Sequence, residues 1–269
     1  MKIKTELITP KRAENYLKNN LSNRKIRDKI VDNYARQMNK NLWRENIGDT
    51  IKISKIGMLL DGQHRLKALI KSGKSFIFNI AFDVDNDAFQ FIDTGTPRHA
   101  GDILFINNIK NANLVSKIIR TYNGLKNDHV SVDWGKYKYS NAEILDLYNN
   151  ESVLYDEAAK LGMRYYLIFN KIIPPSVISS YYLFFRDLRP DKVDLFFEKL
   201  CKGIEITSNK DPILILRNKL MENKLNYRLK LTNEMKFTFF IKTWNNFIKG
   251  KNMSLLRFYP NERRPIPIK

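Results

Sequence analysis

Residues Gly57–Ala68 read Gly-Met-Leu-Leu-Asp-Gly-Gln-His-Arg-Leu-Lys-Ala, a short apolar run that stops at Asp61-Gly62 and passes into helical spacing. A strand ending in Asp-Gly, followed by a helix starting with Gln63-His64-Arg65, gathers backbone N–H groups, an imidazole and a guanidinium at one helix N-terminus. First-turn N–H groups lack intrahelical partners, the helix dipole adds about half a positive charge, and a guanidinium can fork onto two phosphate oxygens. The chemistry expected is anion binding, with Gly62, Gln63, His64 and Arg65 as the phosphate-binding residues. Gly62 permits close approach of the backbone or a positive φ. Asp61 has three open roles: holding a metal ion that bridges phosphates, acting as a base, or capping the helix. Asp61 and His64 are thus the candidate catalytic residues. The same residues also fit a plain helix start, with Asp61 as N-cap, Gly62 as turn and Arg65 as a surface ion-pair partner.

Asp93, Thr94 and Arg98 form a second constellation. Either their loop approaches the same pocket, with Asp93 on a metal and Arg98 on phosphate, or Asp93 folds an Asx-type turn before Gly95. Cys201, among Phe196, Phe197 and Leu200, reads as a small core residue.

The elements that must position these groups follow from patterning. Thr50–Ser54 alternates as a half-buried strand, Lys55-Ile56-Gly57 is a tight turn, and Met58–Leu60 returns as a second strand. Gln63–Lys71 carries Leu66, Leu69 and Ile70 at helical spacing and is closed by Gly73. Ser75–Asp83 alternates Phe76, Phe78, Ile80 and Phe82, the clearest strand of the chain. Upstream, Thr9-Pro10 opens a helix, and Ile26, Ile30, Tyr34 and Met38 share a face of the next. Beyond about residue 105 the starts are helical: a capping box at Ser140–Glu143, Pro174-Pro175, Pro190, Asp211-Pro212 and Thr232. The ending, with prolines at 260, 265 and 267, reads as an extended tail.

Composition bounds the rest. The 47 Lys+Arg against 28 Asp+Glu give a formal charge of +19 over 269 residues, and both halves are basic. A polyanion such as DNA or RNA, or else an acidic surface, is the first partner implied, the plain alternative being a basic but inert surface. One cysteine excludes an internal disulfide and a multi-thiolate metal site, and the three histidines lack zinc-ligand spacing. No apolar run reaches the roughly 18 residues of a membrane span, and Met1-Lys2-Ile3-Lys4 leads into no apolar signal core. A cytoplasmic protein without membrane contact is expected.

Gly62-Gln63-His64-Arg65-Leu66-Lys67-Ala68 resembles the Gly-x-x-Arg-x-x-Ala box of the ParB/sulfiredoxin superfamily, preceded, as there, by a strand hairpin. Ile8-Thr9-Pro10, Asn20 to Arg24, Trp43, Leu60–Ala68, Ile92-Asp93-Thr94-Gly95 with Arg98, and Trp244-Asn245 with Gly250 extend the likeness to ParB-like proteins of phages and mobile elements. The resemblance implies a small mixed-sheet domain over residues 1–105; with the helical starts beyond it, which do not match the family's helix-turn-helix, the chain is expected to be α+β with an all-α basic domain over 106–269. It also implies a nucleotide, CTP or ATP with Mg²⁺, whose phosphates lie at Gly62–Arg65. Gln63 stands where sulfiredoxin chemistry needs cysteine, which excludes that reaction. Only the last of the ParB Glu-Arg-Arg residues is kept, so the nucleotide stays open. The expected function is a nucleotide- and DNA-binding regulatory protein. The alternatives are an NTPase, phosphotransferase or nuclease on the same site, and a phage effector that binds a protein partner without nucleotide chemistry.

Overall fold

The computed structural model describes residues 1–20, 23, 25–45, 47–86, 88, 99–127, 139–226, 231–259 and 262–269. The chain is α+β and divides into two compact units, Met1–His99 with Lys138–Glu143, and Ala100–Tyr137 with Ile144–Lys269. The expected boundary stood at residue 105.

The first unit is a four-stranded mixed sheet covered by helices. Its strands are β1 (Lys2–Ile8), β2 (Thr50–Ser54), β3 (Leu59–Asp61) and β4 (Phe76–Val84), in the order β1-β4-β2-β3. β1 runs antiparallel to β4 with Ile8 opposite Phe76, while β2 runs parallel to β4 with Ile51 opposite Ile80. A parallel pair needs a crossover, and α3 (Gln63–Ser72) supplies its helix. The hairpin turns at Gly57, whose φ is +81°, and brings β3 back antiparallel to β2.

With α1 (Pro10–Lys18) and α2 (Asp28–Asn39), α3 buries one core against the sheet. Ile51, Ile53, Leu59, Phe78 and Ile80 meet Ala13, Val31, Ala35, Met38, Leu66 and Leu69 there. Burying such side chains contributes about 1.5–3 kcal/mol each. Trp43 packs edge-on against Tyr34 at 5.5 Å and leans on Phe78 at 6.1 Å. Thr9 caps α1 by accepting from the Arg12 N–H, as its sequence predicts. Ser140 and Glu143 form their capping box reciprocally, at 3.1 and 2.9 Å. Glu143 is 2% exposed and also binds Arg36 at 2.9 Å and Lys40 at 3.1 Å.

The second unit is helical among its described residues: α4 (Ala100–Ile106), α5 (Ala112–Lys126), most of α6 (Asn141–Asn150), α7 (Ser152–Ile168), α8 (Pro175–Leu188), α9 (Pro190–Lys202), α10 (Pro212–Leu225) and α11 (Asn233–Ile248). Four starts fall where proline or a capping residue places them: Pro175, Pro190, Asp211 accepting from the Ile213 N–H, and Thr232 accepting from the Met235 N–H. An aromatic core holds these helices, with Phe185 stacked on Trp244 at 4.6 Å and Tyr181 edge-on to Phe240 at 4.8 Å. The tail after Lys251 carries no helix or strand among its described residues. It is held along α11, where the Trp244 indole donates to the Ile268 carbonyl and the Asn245 amide bonds Ile266 and Ile268. No helix among the described residues is long and apolar enough to cross a membrane.

Candidate functional site

The strand-to-helix turn forms as its residues dictate. β3 ends at Asp61, and Gly62 takes φ +106°, ψ 0° before α3 begins. A side chain at 62 is barred twice, by that left-handed backbone and by Ile51, whose Cγ1 would lie 2.9 Å from an added Cβ. Gly62 is itself the N-cap residue, and no side chain caps α3. Asp61 stands one residue earlier, and its carboxylate accepts the Gly62 N–H at 2.7 Å.

Three donors converge on that carboxylate. Besides the Gly62 N–H, the Lys52 ammonium lies 3.3 Å and the Arg65 Nη2 2.9 Å from Asp61 Oδ2. The Arg65 Nη2 also donates to the Thr50 carbonyl at 2.8 Å, and Nη1 lies 3.9 Å from Asp49 Oδ2. The Arg65 and Asp61 side chains are 13% and 19% exposed, so the group is partly withdrawn from water yet reachable. A guanidinium, an ammonium and a backbone N–H around one carboxylate form the donor set of an oxyanion cradle, here filled by the chain's own Asp61.

Gln63 and His64 serve the opposite wall. Gln63 is 3% exposed, and its Oε1 accepts from the Asn20 side-chain amide at 3.1 Å. Asn23 donates to Asn20 Oδ1 and to the Leu59 carbonyl, tying the chain after α1 to β3. His64 is 6% exposed, and its Nε2 accepts the Arg27 backbone N–H at 3.0 Å. That lone pair is therefore engaged in holding the approach to α2, and taking a proton from a substrate would break the bond.

Asp61, Gly62 and Arg65 thus come together, whereas Gln63 and His64 face the segment before α2. Asp93, Thr94 and Arg98 lie outside the described residues, as does most of the segment around Asp85–Phe91. Lys52, read in the sequence only as the outward residue of its strand, is the member that reading missed. The available signal was the hairpin register, which sets Lys52 directly opposite Asp61.

The space beside Arg65, lined by Trp43, Arg44, Asp49 and Asn79 among others, is ≈ 20 Å³, about room for one water. The space among these described residues does not enclose a whole nucleotide. Among them no cluster of three or more His, Cys, Asp or Glu side chains could hold a metal ion. A Mg²⁺ ion beside this turn would have Asp61 and Asp49 as the carboxylates at hand. Cys201 is buried, and burial pushes its thiol up to about 12, which leaves it unreactive.

Comparison of the chain with protein-family models, curated proteins and solved structures finds no match.

Proposed function

We propose that this protein binds nucleotide phosphates at the Asp61–Arg65 turn and nucleic acid, DNA foremost, through its basic surface. It would then act as a ligand-controlled regulatory protein of the ParB-like kind carried by phages and mobile elements. The observation that carries the reading is the convergence of the Gly62 N–H, Lys52 and Arg65 on one carboxylate. An incoming phosphate takes these donors from Asp61, and each charge-assisted bond it makes is about twice as strong as a neutral one. The Gly62 N–H, Arg65 and Lys52 would hold and neutralise it, and Asp61 swings out or meets the nucleotide's Mg²⁺. The nucleotide would be CTP or ATP, its phosphates being the part the turn recognises.

Binding is favoured over turnover because the His64 Nε2 is engaged by the Arg27 N–H and Asp61 is held by three donors. The net charge of +19 supports the nucleic-acid half. With its single buried thiol, the protein belongs in the reducing cytoplasm, that of the host cell if it is phage-encoded.

The test is fluorescence anisotropy with a short duplex DNA of mixed sequence, across salt from about 50 to 200 mM, with and without each NTP. Binding should weaken steeply with salt, and one nucleotide should change it in the wild type but not in Arg65→Ala. No binding at the lowest salt, or binding indifferent to salt, would remove the nucleic-acid half. Binding unaffected by Arg65→Ala and by every nucleotide would point to a protein partner instead.

A further inference from the structure

We infer that the open cleft between the ends of α7, α8, α10 and α11 is where the second unit holds the phosphodiester backbone of nucleic acid. This rests on the nucleic-acid reading above and names the surface that carries it. The cleft measures ≈ 860 Å³, and Lys171, Lys224 and Lys236 line it. None of its described lining residues is acidic.

Its electrostatics follow from the fold. The C-termini of α7 and α10 and the N-termini of α8 and α11 meet around it, so two negative and two positive dipole ends oppose one another. The dipole ends thus offset one another, and the charged side chains among the cleft's described lining residues are lysines. Lys171 and Lys224 are exposed and form no ion pair with another described residue. Elsewhere in this unit Lys199, Lys202, Lys219 and Lys242 are each matched by a carboxylate, while Lys249 and Lys251, like the cleft pair, form no ion pair with another described residue. Lys171 is also held in a left-handed backbone conformation at φ +59°, directly after Asn170 at +48°, an uncommon arrangement for a lysine that fixes where its side chain leaves the chain. Tyr166, which also lines the cleft, offers a ring on which a base or sugar can rest. Ammonium groups along an open groove with no carboxylate among its described lining residues suit a ligand of repeated single negative charges.

The experiment measures duplex-DNA affinity of the full chain against salt for the wild type, the pair Lys171→Gln/Lys224→Gln, and a control pair Lys249→Gln/Lys251→Gln at the far end of α11. Each phosphate contact contributes about −0.9 to the slope of log affinity on log salt, so the cleft pair should flatten it by about 2. Affinity at low salt should fall about tenfold or more, while the control pair stays near the wild type. An unchanged slope in the cleft pair overturns the inference, also where its thermal stability has dropped, because the lysines then only complement the helix C-termini. Equal losses in both pairs overturn it too, since the effect is then one of net charge. A wild type that does not bind DNA fails the underlying reading itself, an outcome distinct from binding that ignores the cleft.

Discussion

At the scale of single residues, the balance at Asp61 decides what the turn can do. One carboxylate satisfies a backbone N–H, an ammonium and a guanidinium at 2.7, 3.3 and 2.9 Å. Replacing it by a neutral isostere should release those donors to an external anion. Asp61→Asn is expected to lower the stability of the unliganded protein by about 1 kcal/mol and to tighten inorganic phosphate about tenfold, read by calorimetric titration. Weaker phosphate binding in that variant would mean that Asp61 belongs to the ligand rather than standing in for it. Glu143 shows the opposite use of a buried carboxylate. Burial pushes its pKa up, but Arg36, the Ser140 N–H and Lys40 outweigh this and hold it down at about 2. A carboxylate depressed in the folded state stabilises fully above its unfolded pKa, near 4.5, and loses that contribution as the pH falls toward about 2. Glu143→Gln should therefore cost about 3 kcal/mol at neutral pH, and urea melts should converge with the wild type on acidification through that window. A deficit that stayed constant down to the lower limit would assign Glu143 a packing role alone. The meeting of Asp61, Gly62 and Arg65 at one turn was legible because a strand ending in Asp-Gly runs straight into a helical pattern, while their roles were not, since the same residues also fit a plain helix start. Lys52 was not, because its role arises from cross-strand register and not from its own neighbours.

At the scale of elements, what the sequence concealed was set by partners. β1 was invisible because its apolar residues Ile3 and Leu7 are 58% and 54% exposed while Glu6, on the face that buries Ile8, is held by Arg12 and Tyr16 of α1. An edge strand with polar residues inward breaks the alternation by which strands are read. α7 lacked a start signal, since no side chain caps it, and its buried positions include Ala158, Ala159 and Gly162, which carry little hydrophobic signal. That same smallness lets α8 approach. An added Cβ at Gly162 would lie 2.0 Å from Ser179 Oγ and 2.6 Å from the Pro175 carbonyl. Gly→Ala in a helix interior ordinarily stabilises by about 1 kcal/mol, so the sign here is diagnostic. Gly162→Ala should destabilise by about 1–3 kcal/mol in denaturant melts. A stabilised variant would show that α7 and α8 pack less closely than described. By contrast, α8 to α11 announced themselves through proline and capping residues, because those act within one turn and need no tertiary partner.

At the scale of the whole molecule, a charge of +19 on 269 residues favours anionic partners and makes every binding constant depend on salt. Charge is a sum over the chain, so it was readable from composition; the cleft that Lys171 and Lys224 line was not, because it exists only once four helix ends meet. On the function proposed above, the helical unit would carry the polyanion and the turn of the sheet unit a single phosphate group. Binding of nucleotide phosphates at this turn through Arg65 is the proposal on which the function rests. Its most direct test is a thermal-shift titration of CTP, ATP, GTP and UTP, each with Mg²⁺, on the wild type and on Arg65→Ala. At least one nucleotide should raise the wild-type melting temperature, by the equivalent of about 2.7 kcal/mol at a hundred times its Kd, and Arg65→Ala should lose the shift. A wild type unmoved by all four, or an Arg65→Ala protein shifted equally, would contradict it.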